Sequence, residues 1–252
     1  MKILNHSLIL SIISSLIGSL NASSSFGENS IGLIIGGLDN KIEFSAGTST
    51  GALSYSGFYY GLGGNISLLK PDNGSPFGVD AVAAYSHAPD LSFSFSSNIG
   101  NVANVANQVV SALNISGEID GWSVGVTPYL RVANNVNLFA GLSYSDVSTE
   151  IKSSVGSLKS SDSVTSYAVG IEAVYSAVNV APSISFVAGD DITSEISTPD
   201  GYTLSLPVTF AKSEKLDLVV GVNYSFHDDF SLDGVKIEQT NISYGLGAVY
   251  KF

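Results

Sequence analysis

In the stretch Leu216-Asp217-Leu218-Val219-Val220-Gly221-Val222-Asn223-Tyr224-Ser225-Phe226, the residues Leu216, Leu218, Val220, Val222, Tyr224 and Phe226 share one parity. Asp217, Gly221, Asn223 and Ser225 stand on the other. A period of two sends successive side chains to opposite faces of a β-strand, so this stretch has one apolar face and one small or polar face. The pattern repeats outward along the chain. Segment 77–87 sets Phe77, Val79, Ala81, Ala83 and Tyr85 against Gly78, Asp80, Val82, Ala84 and Ser86. Segment 121–131 sets Trp122, Val124, Val126, Pro128 and Leu130 against Ser123, Gly125, Thr127, Tyr129 and Arg131. Segments 165–175, 202–211 and 242–252 read the same way.

Strands of this kind suit a sandwich with one solvated face or a membrane barrel with a wet interior. The segment ends separate the two. On the apolar parity, Tyr60, Tyr85, Trp122, Tyr144, Tyr167, Tyr202, Tyr224 and Tyr244 recur at the ends next to the longer connections. A thinner set, Phe77, Tyr175, Phe210, Tyr250 and Phe252, marks the opposite ends. A sandwich core gives no reason for rings at one height in strand after strand, whereas a bilayer collects amphipathic rings at its headgroup boundary. Composition agrees. Apolar residues are 44% of the 252, charged residues only 13%, and the mean hydropathy is +0.30. That is too apolar for an ordinary soluble surface and for disorder. Beyond the N-terminus there is no continuous run of about 20 apolar residues, which excludes spanning helices from the rest of the chain.

Residues 1–24 read as a secretory signal: Lys2, an apolar stretch from Leu8 to Leu20, then Asn21-Ala22-Ser23-Ser24 for cleavage. The formal charge of −12 disfavours nucleic acid as a partner. Zero Cys removes thiol nucleophiles and thiolate metal sites.

The alternation predicts ten strands, at 40–49, 57–69, 77–87, 120–131, 135–148, 164–176, 182–189, 201–211, 215–226 and 240–252. Residues 25–39 form an N-terminal segment of uncertain structure, and 40–252 the barrel. If 26–38, with its Ile31-Gly32-Leu33-Ile34-Ile35 run, is a strand, the count changes, so eight and twelve remain compatible. Short turns at 70–76, 132–135, 177–181 and 212–215 alternate with long connections at 88–119, 149–163, 189–200 and 227–239. Short periplasmic turns and long extracellular loops are the arrangement of outer-membrane barrels. The long side holds fourteen acids against three lysines, and the short side five basic residues against two acids. In the longest loop, Val102, Val105, Val109 and Leu113 fall on one helical face, which fits a helix at the mouth or on the surface.

The ending Tyr244-Gly245-Leu246-Gly247-Ala248-Val249-Tyr250-Lys251-Phe252 resembles the closing strand of Gram-negative outer-membrane β-barrel proteins, which ends in an aromatic residue with alternate apolar positions before it. The resemblance implies export to the bacterial outer membrane. It makes Tyr244, Leu246, Ala248, Tyr250 and Phe252 a signal for the barrel-assembly machinery, with outer-membrane lipid and lipopolysaccharide as surroundings.

The expected fold is therefore all-β, a closed antiparallel transmembrane barrel of about ten strands. Its lumen is expected to be lined by small residues with Asp80, Arg131, Glu172, Asp217, Asn223 and Lys251 as long polar exceptions, Arg131 pairing with Glu172 or Asp217. A narrow porin-like channel or a structural barrel with acidic surface loops is the leading functional expectation, with no cofactor and no metal. Adhesion through the loops is one alternative. A rim hydrolase is another, by analogy with ten-stranded omptin-type proteases or with lipid-directed hydrolases; His227 with Asp228 and Asp229 is its best base, and His87 with Asp90 the other His near an acid.

Overall fold

The computed structural model describes residues 26–72, 74–188, 201–211, 213–232 and 235–252. Its strands are β1 (Ser30–Ala46), β2 (Ser49–Leu69), β3 (Phe77–Ser97), β4 (Ser116–Ala133), β5 (Val136–Ser153), β6 (Gly156–Tyr175), β7 (Val178–Val180), β8 (Ser183–Ala188), β9 (Gly201–Ala211), β10 (Leu216–Leu232) and β11 (Val235–Lys251). A helix, α1 (Val102–Ala112), follows β3. The leader expected at 1–24 and the connection 189–200 lie outside the described residues.

Every strand pairs antiparallel with its neighbours, and β1 joins both β2 and β11, which closes the wall. β7 and β8 share one position between β6 and β9, giving a closed barrel of ten staves. The break between them falls at Ala181–Pro182. Proline has no N–H for the ladder, and the gap is bridged by Ala181 N–H donating to the Pro207 carbonyl (3.2 Å) and Ile171 N–H to that of Pro182 (3.1 Å).

Three boundaries differ from the sequence reading. β1 starts at Ser30, so Ile31–Ile35 lie in the wall, and it turns at Gly47–Thr48, leaving 50–56 to β2. Gly47 has φ +61, a left-handed conformation that glycine adopts without penalty. The expected loops at 149–163 and 227–239 are instead tall hairpins: β5 runs to Ser153 and β6 starts at Gly156, while β10 reaches Leu232 and β11 starts at Val235. The third is 88–119, where β3 continues to Ser97 and β4 begins at Ser116.

These extensions hide in the sequence because the alternation changes phase at the aromatic girdle. Below it, outward positions are apolar and exposed, as with Ile31, Leu33 and Ile35, and most inward ones are small or polar, Tyr129, Phe139, Val219 and Val249 being exceptions. Above it the faces exchange character: on β1, Asp39, Lys41 and Glu43 point outward while Leu38 and Ile42 are buried inside. β3 shifts register between Ala88 and Leu91, after which Ser92, Ser94 and Ser96 face out and Leu91, Phe93 and Phe95 face in. The lower storey is built for lipid, and the upper storey like a soluble barrel. Nine residues separate Tyr144 from Ser153 at the tip of β5, about 30 Å along the strand.

Helix α1 protects an edge. β4 begins opposite Ser92, so β3 beyond it has no β4 partner. Asn107 fills the gap: its Oδ1 accepts from Phe95 N–H and its Nδ2 donates to the Phe95 carbonyl, both at 2.8 Å. An open strand edge is a template for unwanted pairing, and this clasp blocks it. Val102, Val105 and Val109 stay exposed on the far side of the helix.

Candidate functional site

Three regions carry chemistry: the interior, the turn-side mouth and the outer wall just above the girdle.

From the level of the girdle upward, Ile34, Leu38, Ile42, Leu53, Tyr55, Tyr59, Ala88, Leu91, Ile119, Val147, Val164 and Ile237 form one buried apolar cluster, with Phe44, Phe93 and Phe95 packed against it. It draws on seven of the ten staves. Tyr59 lies flat across neighbouring strands: a Cβ on Gly36 would fall 2.6 Å from its ring, and one on Gly245 2.7 Å from its hydroxyl. Glycine at these two positions makes room for the ring. The interior therefore departs from the small-residue lining expected of a narrow pore: Leu53, Tyr55, Leu91, Ile119 and Ile237 sit on strand extensions that read as connections, and Tyr59 is an inward ring on a predicted strand.

The lower interior is polar. Asp80, Glu172, Asp217 and Asn223 are all buried there. Glu172 accepts from the side-chain amides of Asn137 and Asn179, and Asp217 is met by Lys251 at 3.3 Å. The partners expected of Arg131 are thus taken by others. Asn137 stands between Arg131 and Glu172 on the intervening strand, and Asp217 lies across the barrel from β4.

The segment that precedes β1 packs inside the turn-side mouth. Phe26 stacks on Tyr129 (centroids 4.8 Å) and packs on Phe139 (5.0 Å), beside Ala181. Its backbone N–H donates to Glu172 Oε1 (3.3 Å), and that of Gly27 to Asp80 Oδ2 (3.0 Å). Gly27 has φ +85, and a Cβ there would meet the Tyr129 hydroxyl at 2.8 Å. Buried carboxylates need hydrogen-bond donors, and these backbone amides supply two. A cavity of about 360 Å³ beside Phe26 is lined by Lys70, Arg131, Asn135 and Glu172.

On the outer wall, Tyr60, Tyr85, Trp122, Tyr144, Tyr167, Tyr202 and Tyr244 are exposed, Tyr224 is half-buried, and Phe186 joins the row between Tyr167 and Tyr202. Of the terminal residues, Tyr244, Leu246, Tyr250 and Phe252 are exposed, and Ala248 shares the outward parity.

One rung above the Tyr85–Trp122 pair, His87 and Asp120 are register partners. The His87 Nδ1 lies 2.7 Å from Asp120 Oδ1, and the Tyr85 hydroxyl donates to that same oxygen at 2.7 Å. The Tyr60 ring packs 5.2 Å from the imidazole. Glu118, next outward on β4, pairs with Lys152. Asp120 lies outside the membrane-spanning part of β4. Partial burial pulls its carboxyl upward, but the hydrogen bonds from Tyr85 and His87 outweigh that and hold it below the usual carboxylate range. Sequence reading placed His87 near Asp90; its partner is Asp120, 33 residues away, which only the cross-strand register reveals. Ser148 is the next register partner of Asp120, on β5. His87 and Ser148 therefore flank the acid from strands roughly 10 Å apart, and the base does not reach the hydroxyl. The side chains of His227, Asp228 and Asp229 lie outside the described residues.

No protein-family model matches the sequence, and no curated protein is similar to it. Among solved structures, the outer membrane protease OmpT of Escherichia coli is similar in fold at 10% identity and a TM-score of 0.54, covering 91% of this chain and 99% of its own. The transport unit of the autotransporter AIDA-I, also from Escherichia coli, is similar at 12% identity and a TM-score of 0.50, covering 98% and 99%. Identities this low speak to the fold alone. Closed wall, apolar belt, aromatic girdle and these likenesses together give the chain the fold of a ten-stranded outer-membrane β-barrel.

Proposed function

We propose that this barrel does not conduct, and that it acts through its extracellular storey as a structural and binding surface. The observation that carries the reading is the inward apolar cluster of the upper storey, which sets bulky side chains from seven of the ten staves into the space a pore would need. Phe26 at the opposite mouth adds a second bulky group inside the barrel. A wall that only had to span a bilayer would end near the girdle. Here the strands continue beyond it and present outward charge, including Asp39, Lys41, Glu43, Glu118, Asp146 and Glu150. Such a surface keeps its shape without loop ordering, which lowers the entropy cost of binding.

Assembly through the terminal aromatic signal at Phe252, and residence among lipid and lipopolysaccharide, belong to the same proposal. The rim-hydrolase reading rests on His227, Asp228 and Asp229, whose side chains lie outside the described residues.

Liposome swelling tests the function. Vesicles holding the folded barrel should swell in an isotonic small-sugar solution no faster than protein-free vesicles. Swelling that rises with protein content and falls with solute size would establish a channel instead.

A further inference from the structure

Among the described residues, His87, Glu118 and Asp120 each offer a ligand atom within 4.8 Å of the others. Two features make them more than a chance meeting of surface charges. The ladder of β3 and β4 fixes the register that opposes His87 to Asp120, and Glu118 follows on the same outward face, so none of the three depends on a loop for its position. The ligands are also oriented from outside the set. The Tyr85 hydroxyl holds the Asp120 carboxylate at 2.7 Å, and the Tyr60 ring packs against the imidazole. Hydrogen-bonded partners of this kind fix ligand geometry in metal sites.

We propose that the outer wall binds a divalent cation of the zinc class through His87, Glu118 and Asp120, at the upper edge of the membrane. One imidazole nitrogen and two carboxylate oxygens suit borderline ions such as Zn²⁺, Ni²⁺ and Co²⁺, whereas Ca²⁺ and Mg²⁺ favour oxygen alone. Three protein donors leave a tetrahedral ion one position for water. Lys152 accounts for the charge. Its ammonium pairs with Glu118, on the edge of the two-carboxylate cluster, and it is a flexible side chain that an incoming dication displaces. Lys152 is thus a competitor of the metal, and this separates the proposal from a purely structural reading of the ion pairs.

The chain's one tryptophan, Trp122, follows Asp120 on the same face of β4 and reports on the site. Folded full-length barrel in detergent is titrated with ZnCl₂, following Trp122 fluorescence and calorimetric heat. Saturable binding of one ion per chain is expected. Tyr85→Phe, which removes only the orienting hydroxyl, should weaken it about tenfold, and His87→Ala and Asp120→Asn by more than that. Lys152→Ala should bind several-fold tighter. Heat-modifiable migration on gels confirms that each variant is folded. Wild-type barrel without saturable binding, folded His87→Ala binding as wild type does, or Lys152→Ala binding more weakly would each overturn the site. CaCl₂ binding as tightly as ZnCl₂ would overturn its assignment to the zinc class.

Discussion

Replacing Val220 by Arg is expected to destabilise the barrel by roughly 2–4 kcal/mol, the cost of a cationic side chain near the bilayer midplane. Val220 faces outward halfway between Leu216 and Tyr224 on β10, flanked by Leu246 and Val208. With no water at that depth, the guanidinium must stretch toward the headgroups or drag water inward. Ser94→Arg provides the contrast. Ser94 also faces outward, but on the upper storey, where β3 carries serine at each outward position; the same side chain there should change stability by less than about 0.5 kcal/mol. Urea unfolding in lipid vesicles measures both. Equal losses would mean that the girdle does not mark the membrane boundary and that the two-storey description is wrong.

Tyr59→Ala should cost about 3–5 kcal/mol, the range for emptying a buried aromatic site. The neighbouring change Tyr60→Ala should cost much less, although the two residues adjoin in sequence and are of one type. Tyr59 is 3% exposed and lies over two glycines inside the upper storey, whereas Tyr60 is 51% exposed on the outer wall. The interior has no lipid to refill a cavity left by Tyr59, while acyl chains or headgroups close over a missing Tyr60. Urea unfolding midpoints of the two variants, compared with wild type, check the difference. A Tyr60→Ala loss matching that of Tyr59→Ala would contradict the inward placement of the apolar cluster.

The membrane storey was legible in the sequence because its alternation is strong and one-phased, as in 216–226 and 121–131. The closing strand, Tyr244 to Phe252, carried the class of barrel by itself. What remained hidden follows from the change of phase. In Leu91-Ser92-Phe93-Ser94-Phe95-Ser96 the period of two is intact, but its apolar members face inward, so a reading that equates apolar with lipid assigns the stretch to a loop. The bulge between Ala88 and Leu91 adds to this by breaking the register where the phase turns over. The Ile31–Ile35 run was compatible with an extra strand or a separate segment, because its pairing with β2 and β11 is not encoded locally. The outer-wall cluster was out of reach for another reason. His87 and Asp120 meet through strand register, and no local spacing encodes that.

The central claim is that a barrel of ten staves is sealed by its own upper core. Planar-bilayer recording of the purified, folded protein tests it most directly. The expected result is a current no greater than that of the protein-free membrane, at either polarity. Long-lived conductance steps of uniform size, scaling with the amount of inserted barrel, would show that the apolar cluster leaves a continuous water path and would contradict the account.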